Sequence, residues 1–237
     1  MRVILQVFLG LLLTTSIVAC NEDPVSPEPD PEPVFEIDTG PDEADYDFYI
    51  AMSYSDPQPL IITEKRFYVI IACEDEQQSF QSVAMSVQGA SVPLQHVNYG
   101  GTDFYIAYFN RTYAEIFSFR FEINGRVVET DLETVSELHC TLPTSLFPQS
   151  DVTLNWMATK DPQVIYVEGF ERRADFSLVE VTQENLSSDA RGFTIPAEWL
   201  WTHDATRVRN LQVGIMNYVI ADRVCFTISD GAYKSYE

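Results

Sequence analysis

The chain has 237 residues, of which 36 are Asp or Glu and 14 are Lys or Arg, for a formal net charge of −22. So acidic a surface repels phosphate backbones and anionic headgroups, which argues against nucleic-acid binding and against polybasic docking on a membrane. Hydrophobic residues make up 46% and aromatics 13%, enough to build a packed core.

Residues 3–19 follow Arg2 and carry no charged side chain, the pattern of a signal peptide over 1–19. The run is short for a membrane span, which wants about 20 apolar residues, and Asn21-Glu22-Asp23-Pro24 follows it closely. Ile17-Val18-Ala19-Cys20 resembles the lipobox of bacterial lipoproteins. That resemblance implies a diacylglycerol on the Cys20 thiol, cleavage before it, and attachment to the membrane through lipid without crossing. Glu22 and Asp23 resemble the surface-export signals of some Gram-negative lipoproteins, and an ordinary solvated linker has the same composition. The outer membrane is the implied address, with the surface and periplasmic sides both open.

Residues 20–46 are predicted to form a tether. From Asn21 to Asp47 there are six prolines, eleven acids and no Lys or Arg. Proline fixes φ and removes donors while like charges repel, so the segment is expected to be extended, with a reach on the order of 80 Å at about 3.1 Å per residue. Asp42-Glu43-Ala44-Asp45-Tyr46-Asp47 lacks the glycine and terminal glutamate of an EF-hand loop, and no metal is expected there.

From residue 47 onward short runs of Val, Ile, Phe and Tyr alternate with Gly, Pro, Asn and Asp, as in an all-β protein. The predicted strands are Phe48–Tyr54, Arg66–Cys73, Ser82–Val87, Phe104–Phe109, Ile116–Ile123, Arg126–Thr130 and Glu137–Leu142. After a pause near Pro143 to Pro148 come Val152–Ala158, Val164–Phe170, Phe176–Thr182, Gly192–Ile195, Leu211–Val219 and Val224–Ser229. Asn124-Gly125 is the strongest hairpin signal, because both residues tolerate positive φ. Six or seven strands per half argue for two tandem immunoglobulin-like β-sandwiches, over 47–143 and 144–237, with one larger sandwich or jelly roll as the rival.

In the second half, Asp151-Val-Thr-Leu-Asn-Trp156 resembles the second strand of fibronectin type III domains, which implies that Trp156 fills a core. Gly192-Phe-Thr-Ile-Pro-Ala-Glu-Trp-Leu200 and Arg209-Asn-Leu-Gln-Val-Gly-Ile-Met-Asn217 are similar to the late strands of Ig-like modules in bacterial surface proteins. The resemblance implies a fold and leaves function open.

Lipidation of Cys20 would leave Cys73, Cys140 and Cys225. A Cys73–Cys140 disulfide is one expectation for an exported chain, and three buried thiols are the other. The sequence holds no Gly-x-Ser-x-Gly elbow, His-Glu-x-x-His or phosphate-cradling loop, and His96, His139 and His203 lack metal-ligand spacing. No catalytic residue and no cofactor is expected, although paired carboxylates of a hydrolase are defined in space and not in sequence. The aromatics Tyr105, Tyr108, Trp199 and Trp201 are the candidate binding residues, since alternation sends part of each cluster outward. The expectation is therefore a lipid-anchored, non-catalytic module for a protein or glycan partner, of unspecified oligomeric state. A lipid-anchored hydrolase of extracellular polymer and a structural subunit of an envelope complex are the alternatives.

Overall fold

The computed structural model describes residues 40–54, 64–73, 79–99, 102–112, 114–147, 149–172, 178–200 and 209–236. The signal peptide, Cys20 and the tether up to residue 39 lie outside the described residues, as does Trp201.

The fold is all-β. In chain order the strands are β1 (Phe48–Tyr54), β2 (Glu64–Cys73), β3 (Val83–Val87), β4 (Ala90–Ser91), β5 (Gln95–Tyr99), β6 (Thr102–Thr112), β7 (Ile116–Ile123) and β8 (Arg126–Glu133). There follow β9 (His139–Cys140), β10 (Val152–Met157), β11 (Val164–Arg172), β12 (Leu178–Leu186), β13 (Gly192–Ile195), a short helix α1 (Ala197–Leu200), β14 (Arg209–Ala221) and β15 (Val224–Tyr236). Asn124 and Gly125 join β7 to β8 with φ of 51° and 78°, the left-handed pair expected of a tight hairpin.

One eight-stranded sheet runs in the order β12-β11-β14-β15-β1-β2-β6-β5. A four-stranded sheet, β4-β3-β7-β8, and a three-stranded sheet, β13-β10-β9, complete the layers. The first hydrophobic core gathers Ile50, Phe67, Ile71, Phe117, Phe121 and Phe226; the second gathers Leu154, Trp156, Ile165, Val213, Ile215 and Ile195. Along β14, Leu211, Val213 and Ile215 belong to the second core and Val219 and Ala221 pack on the first. Successive odd positions of a strand share a face, so both smaller sheets cover the same side of the large one.

The two halves are thus not divided at 143/144, as the sequence suggested. The chain leaves the four-stranded sheet after Glu133, and β9 already belongs to the other layer, with Cys140 paired to Trp156. Val224, Phe226 and Ile228 of β15 lie in the first core, because β15 pairs in parallel with β1. Residues 134–138 make the crossing, where buried polar side chains secure them. Asn217 Nδ2 donates to the Glu133 carbonyl at 3.0 Å, and the Leu138 amide donates to Asp230 Oδ2 at 2.7 Å. Asn217 and Asp230 stand on the inner face between the cores, where they satisfy backbone that has left both sheets.

The tether reading also changes at its end. Residues 40–46 carry structure: Asp42 caps a single 3-10 turn at Glu43–Asp45 by accepting from the Ala44 amide at 2.9 Å, and Tyr46 is buried. Of the two arrangements the sequence left open, the structure has no bridge between Cys73 and Cys140. Cys73 packs on the first core and Cys140 on the second, on strands that share no pairing.

Candidate functional site

The side of the large sheet turned away from both cores carries half-buried aromatic and aliphatic side chains around the exposed Tyr108. Its rows follow from the register. Ala51, Ile70, Ile106 and Gln95 lie side by side across β1, β2, β6 and β5, and Tyr49, Ala72, Phe104 and Val97 form the row beside them. Met216, Ser229, Ser53, Tyr68 and Tyr108 form the row on the other side. None of these residues is charged, in a chain with a net charge of −22.

Tyr68 and Tyr108 face each other across β2 and β6 with ring centroids 4.7 Å apart, and Tyr108 is 52% exposed. Partial burial, and then the neighbouring Tyr108, push the Tyr68 phenol above its ordinary value. Ile70, Ala72, Phe104, Ile106 and Val97 are half-buried beside the pair. No second sheet covers this area among the described residues. Two rings with aliphatic neighbours form a surface suited to stacking or to apolar contact.

The predicted binding aromatics do not converge. Tyr105 is three residues from Tyr108 and so points to the opposite side, where it packs on the first core with its ring edge-on to Phe80 at 5.2 Å. Trp199 on α1 is half-buried against the second core, 6.3 Å from the Phe193 ring, and acts as a lid on that core. Trp201 lies outside the described residues. Of the three that are described, Tyr108 alone stands on the aromatic face. Its neighbours Tyr68, Ile70, Phe104 and Ile106 were missed, although β2 and β6 carried the signal: both are apolar at successive positions, the mark of a strand with two apolar faces.

Part of the same face is already occupied by the chain's own N-terminal segment. Gly40 (φ +95°) lies over Met216, so close that an added β-carbon would sit 3.5 Å from the Met216 methyl. From there the chain crosses to Tyr46, whose ring is 5.8 Å from Tyr49, and to Asp47, which is held by Arg223 at the β14–β15 turn. This strap crosses the face at β14, β15 and β1, where Cys225 and Thr227 are 0% and 1% exposed although they point away from both cores.

A second concavity, about 270 Å³, opens where β8 meets the β10–β11 connection and β14, lined by Asp131, Glu133, Asp161, Gln163, Asn217 and Tyr218. Its polar groups have internal work. Glu133 takes Lys160 Nζ at 3.2 Å, Asp161 pairs with Arg191, and Gln163 Oε1 accepts the Tyr218 amide at 2.5 Å. The cleft is a structural junction between the two cores.

No family model and no curated protein matches the chain. Among solved structures, the Yersinia pseudotuberculosis adhesin InvE is similar over 83% of this chain at 10% identity, with a TM-score of 0.23. The pilus backbone RrgB from Streptococcus pneumoniae is similar over 80% of this chain at 8% identity, with a TM-score of 0.21. The chain spans 60% of the length of the first and 57% of the second. At such scores neither likeness bears on what this chain does.

Proposed function

We propose that the chain is a lipid-anchored cell-envelope protein that binds a protein or glycan partner without catalysis, through the face centred on Tyr68 and Tyr108. The observation that carries the reading is this pair, with rings tilted by 33° and centroids 4.7 Å apart, among half-buried aliphatic side chains on a sheet face that no other sheet covers among the described residues. The Ile17-Val18-Ala19-Cys20 sequence supports lipid attachment, and the acidic, proline-rich stretch after it supports display away from the membrane.

Two measurements test the two halves of the proposal. Radiolabelled palmitate should enter the full-length protein and fail to enter the Cys20→Ala variant; an unlabelled wild type refutes the anchor. Immobilised full-length protein should capture an envelope protein or glycan that Tyr108→Ala and Tyr68→Ala lose together. Capture that survives both substitutions rules out this face.

A further inference from the structure

We propose that Asn124 is a latent modification site: its side-chain amide is converted to a carboxylate by attack of the Gly125 backbone nitrogen whenever residues 79–82 let go of it. This goes beyond the function proposed above and does not rest on it.

The chemistry follows from the dipeptide. Asn124 is the only asparagine of the chain that precedes a glycine, and both residues are exposed at the tip of the β7–β8 hairpin. Glycine has no β-carbon, so the Gly125 nitrogen is less shielded than that after any other asparagine here. The Gly125 nitrogen loses its proton and forms a bond to Asn124 Cγ. The Cγ–Nδ2 bond breaks, and Nδ2 takes up that proton and leaves as ammonia. Water then opens the cyclic imide at either carbonyl, giving aspartate or isoaspartate, and no oxidant, reductant or cofactor enters.

The fold supplies a brake. Asn124 Oδ1 accepts the Gln81 amide at 2.7 Å and the Ser82 amide at 3.2 Å, while Nδ2 donates to the Ser79 carbonyl at 2.8 Å. These three bonds aim the side chain at the segment before β3. For the Gly125 nitrogen to reach Cγ the side chain must turn, which breaks them. The same segment carries Phe80, whose ring lies 5.8 Å from Phe48 and 5.2 Å from Tyr105, on the rim of the first core. Lifting Phe80 off that core and freeing Asn124 for attack are thereby coupled.

The product keeps the brake off. A carboxylate at position 124 has no donor for the Ser79 carbonyl, so two acceptor oxygens would face each other where a hydrogen bond stood. Isoaspartate in addition lengthens the main chain by one carbon inside the hairpin turn. Each conversion therefore records that the rim of the first core has opened.

Full-length protein held in mildly alkaline buffer tests the site, with peptide mapping by mass spectrometry and isoaspartate-specific methyl transfer as readouts. Conversion at Asn124 is expected in urea, and it should be slower by roughly tenfold in the folded chain, a factor on the scale of one net hydrogen bond. Phe80→Ala should raise the folded rate by a factor of the same order. Phe193→Ala, on the rim of the second core, should leave the rate unchanged, which separates local release from general loss of stability. No conversion in urea, equal rates in folded and unfolded chains, an unaltered rate in Phe80→Ala, or equal acceleration by Phe193→Ala overturns the proposal.

Discussion

Arg223 holds Asp47 across 176 positions of sequence, with Nε at 2.8 Å and Nη2 at 2.7 Å from the same carboxylate oxygen. The Arg223 carbonyl in turn accepts from the Asp47 amide at 2.8 Å. Both central residues of this turn, Asp222 and Arg223, have positive φ, 47° and 58°, where a β-carbon costs about 1–2 kcal/mol. The side-chain and backbone bonds to Asp47 offset that strain and fix the start of β1 beside β15.

Asp47→Ala is accordingly expected to lower stability by about 0.5–1.5 kcal/mol, because it removes a charge-assisted bond between a largely buried carboxylate and a half-exposed guanidinium. Arg223→Gly should cost less than Arg223→Ala, since glycine accepts the left-handed backbone freely. Urea midpoints of the three variants check the order, and equal midpoints for the two Arg223 variants would remove strain from the account.

The shared sheet predicts one unfolding transition. Phe226→Ala in the first core and Leu154→Ala in the second should each cost about 2–5 kcal/mol, and each should shift the whole transition. Near-ultraviolet and far-ultraviolet circular dichroism followed through the same urea series would separate this from two independent steps.

Tyr166 lies flat over Gly214, its cross-strand neighbour on β11 and β14, and a β-carbon there would come within 2.1 Å of the ring. Gly214→Ala should therefore destabilise by about 1–3 kcal/mol through overpacking. Adding Tyr166→Ala should recover part of the loss, so that the double variant falls short of the sum of the singles.

Burial, and secondarily the Cys140 thiol, push the Tyr236 phenol up to about 12. The unfolded chain gives up this proton near pH 10 and the folded chain holds it to a higher pH. Above about pH 10 the unfolded state thus binds fewer protons, so stability falls as pH rises through the interval to about 12 and is unaffected below it. Tyr236→Phe should flatten the decline in urea midpoint between about pH 10 and 12 while leaving the value at pH 8 nearly unchanged. An identical slope in both proteins would show that other groups carry it.

Much of the strand layout was legible because local chemistry set it. Phe48–Tyr54, Ile116–Ile123 and Gly192–Ile195 stand where apolar runs and turn residues placed them. Asn124-Gly125 is the hairpin its composition predicted, and the Asn124 side chain additionally accepts the Gln81 amide at 2.7 Å. The β14–β15 turn was not marked, since arginine carries no turn signal and the bond to Asp47 that supports it is long-range. β4 is two residues long, and β5 reads Gln-His-Val-Asn-Tyr, too polar to announce a strand. The candidate face was half visible for the same reason: alternation separates Tyr105 from Tyr108, but which side of β6 meets a core is decided by β3 and β7. Pairing between β1 and β15 is set by tertiary contacts alone, which is why the halves looked separable.

That parallel pairing also orders events during synthesis. Val224, Phe226 and Ile228 belong to the core built mainly by residues 48–132, so that core cannot be completed until β15 has left the ribosome. Incomplete chains would expose Ile50, Phe119 and Phe121, which favours handing them to holding chaperones over early collapse, and a truncation before Val224 would forfeit both halves at once.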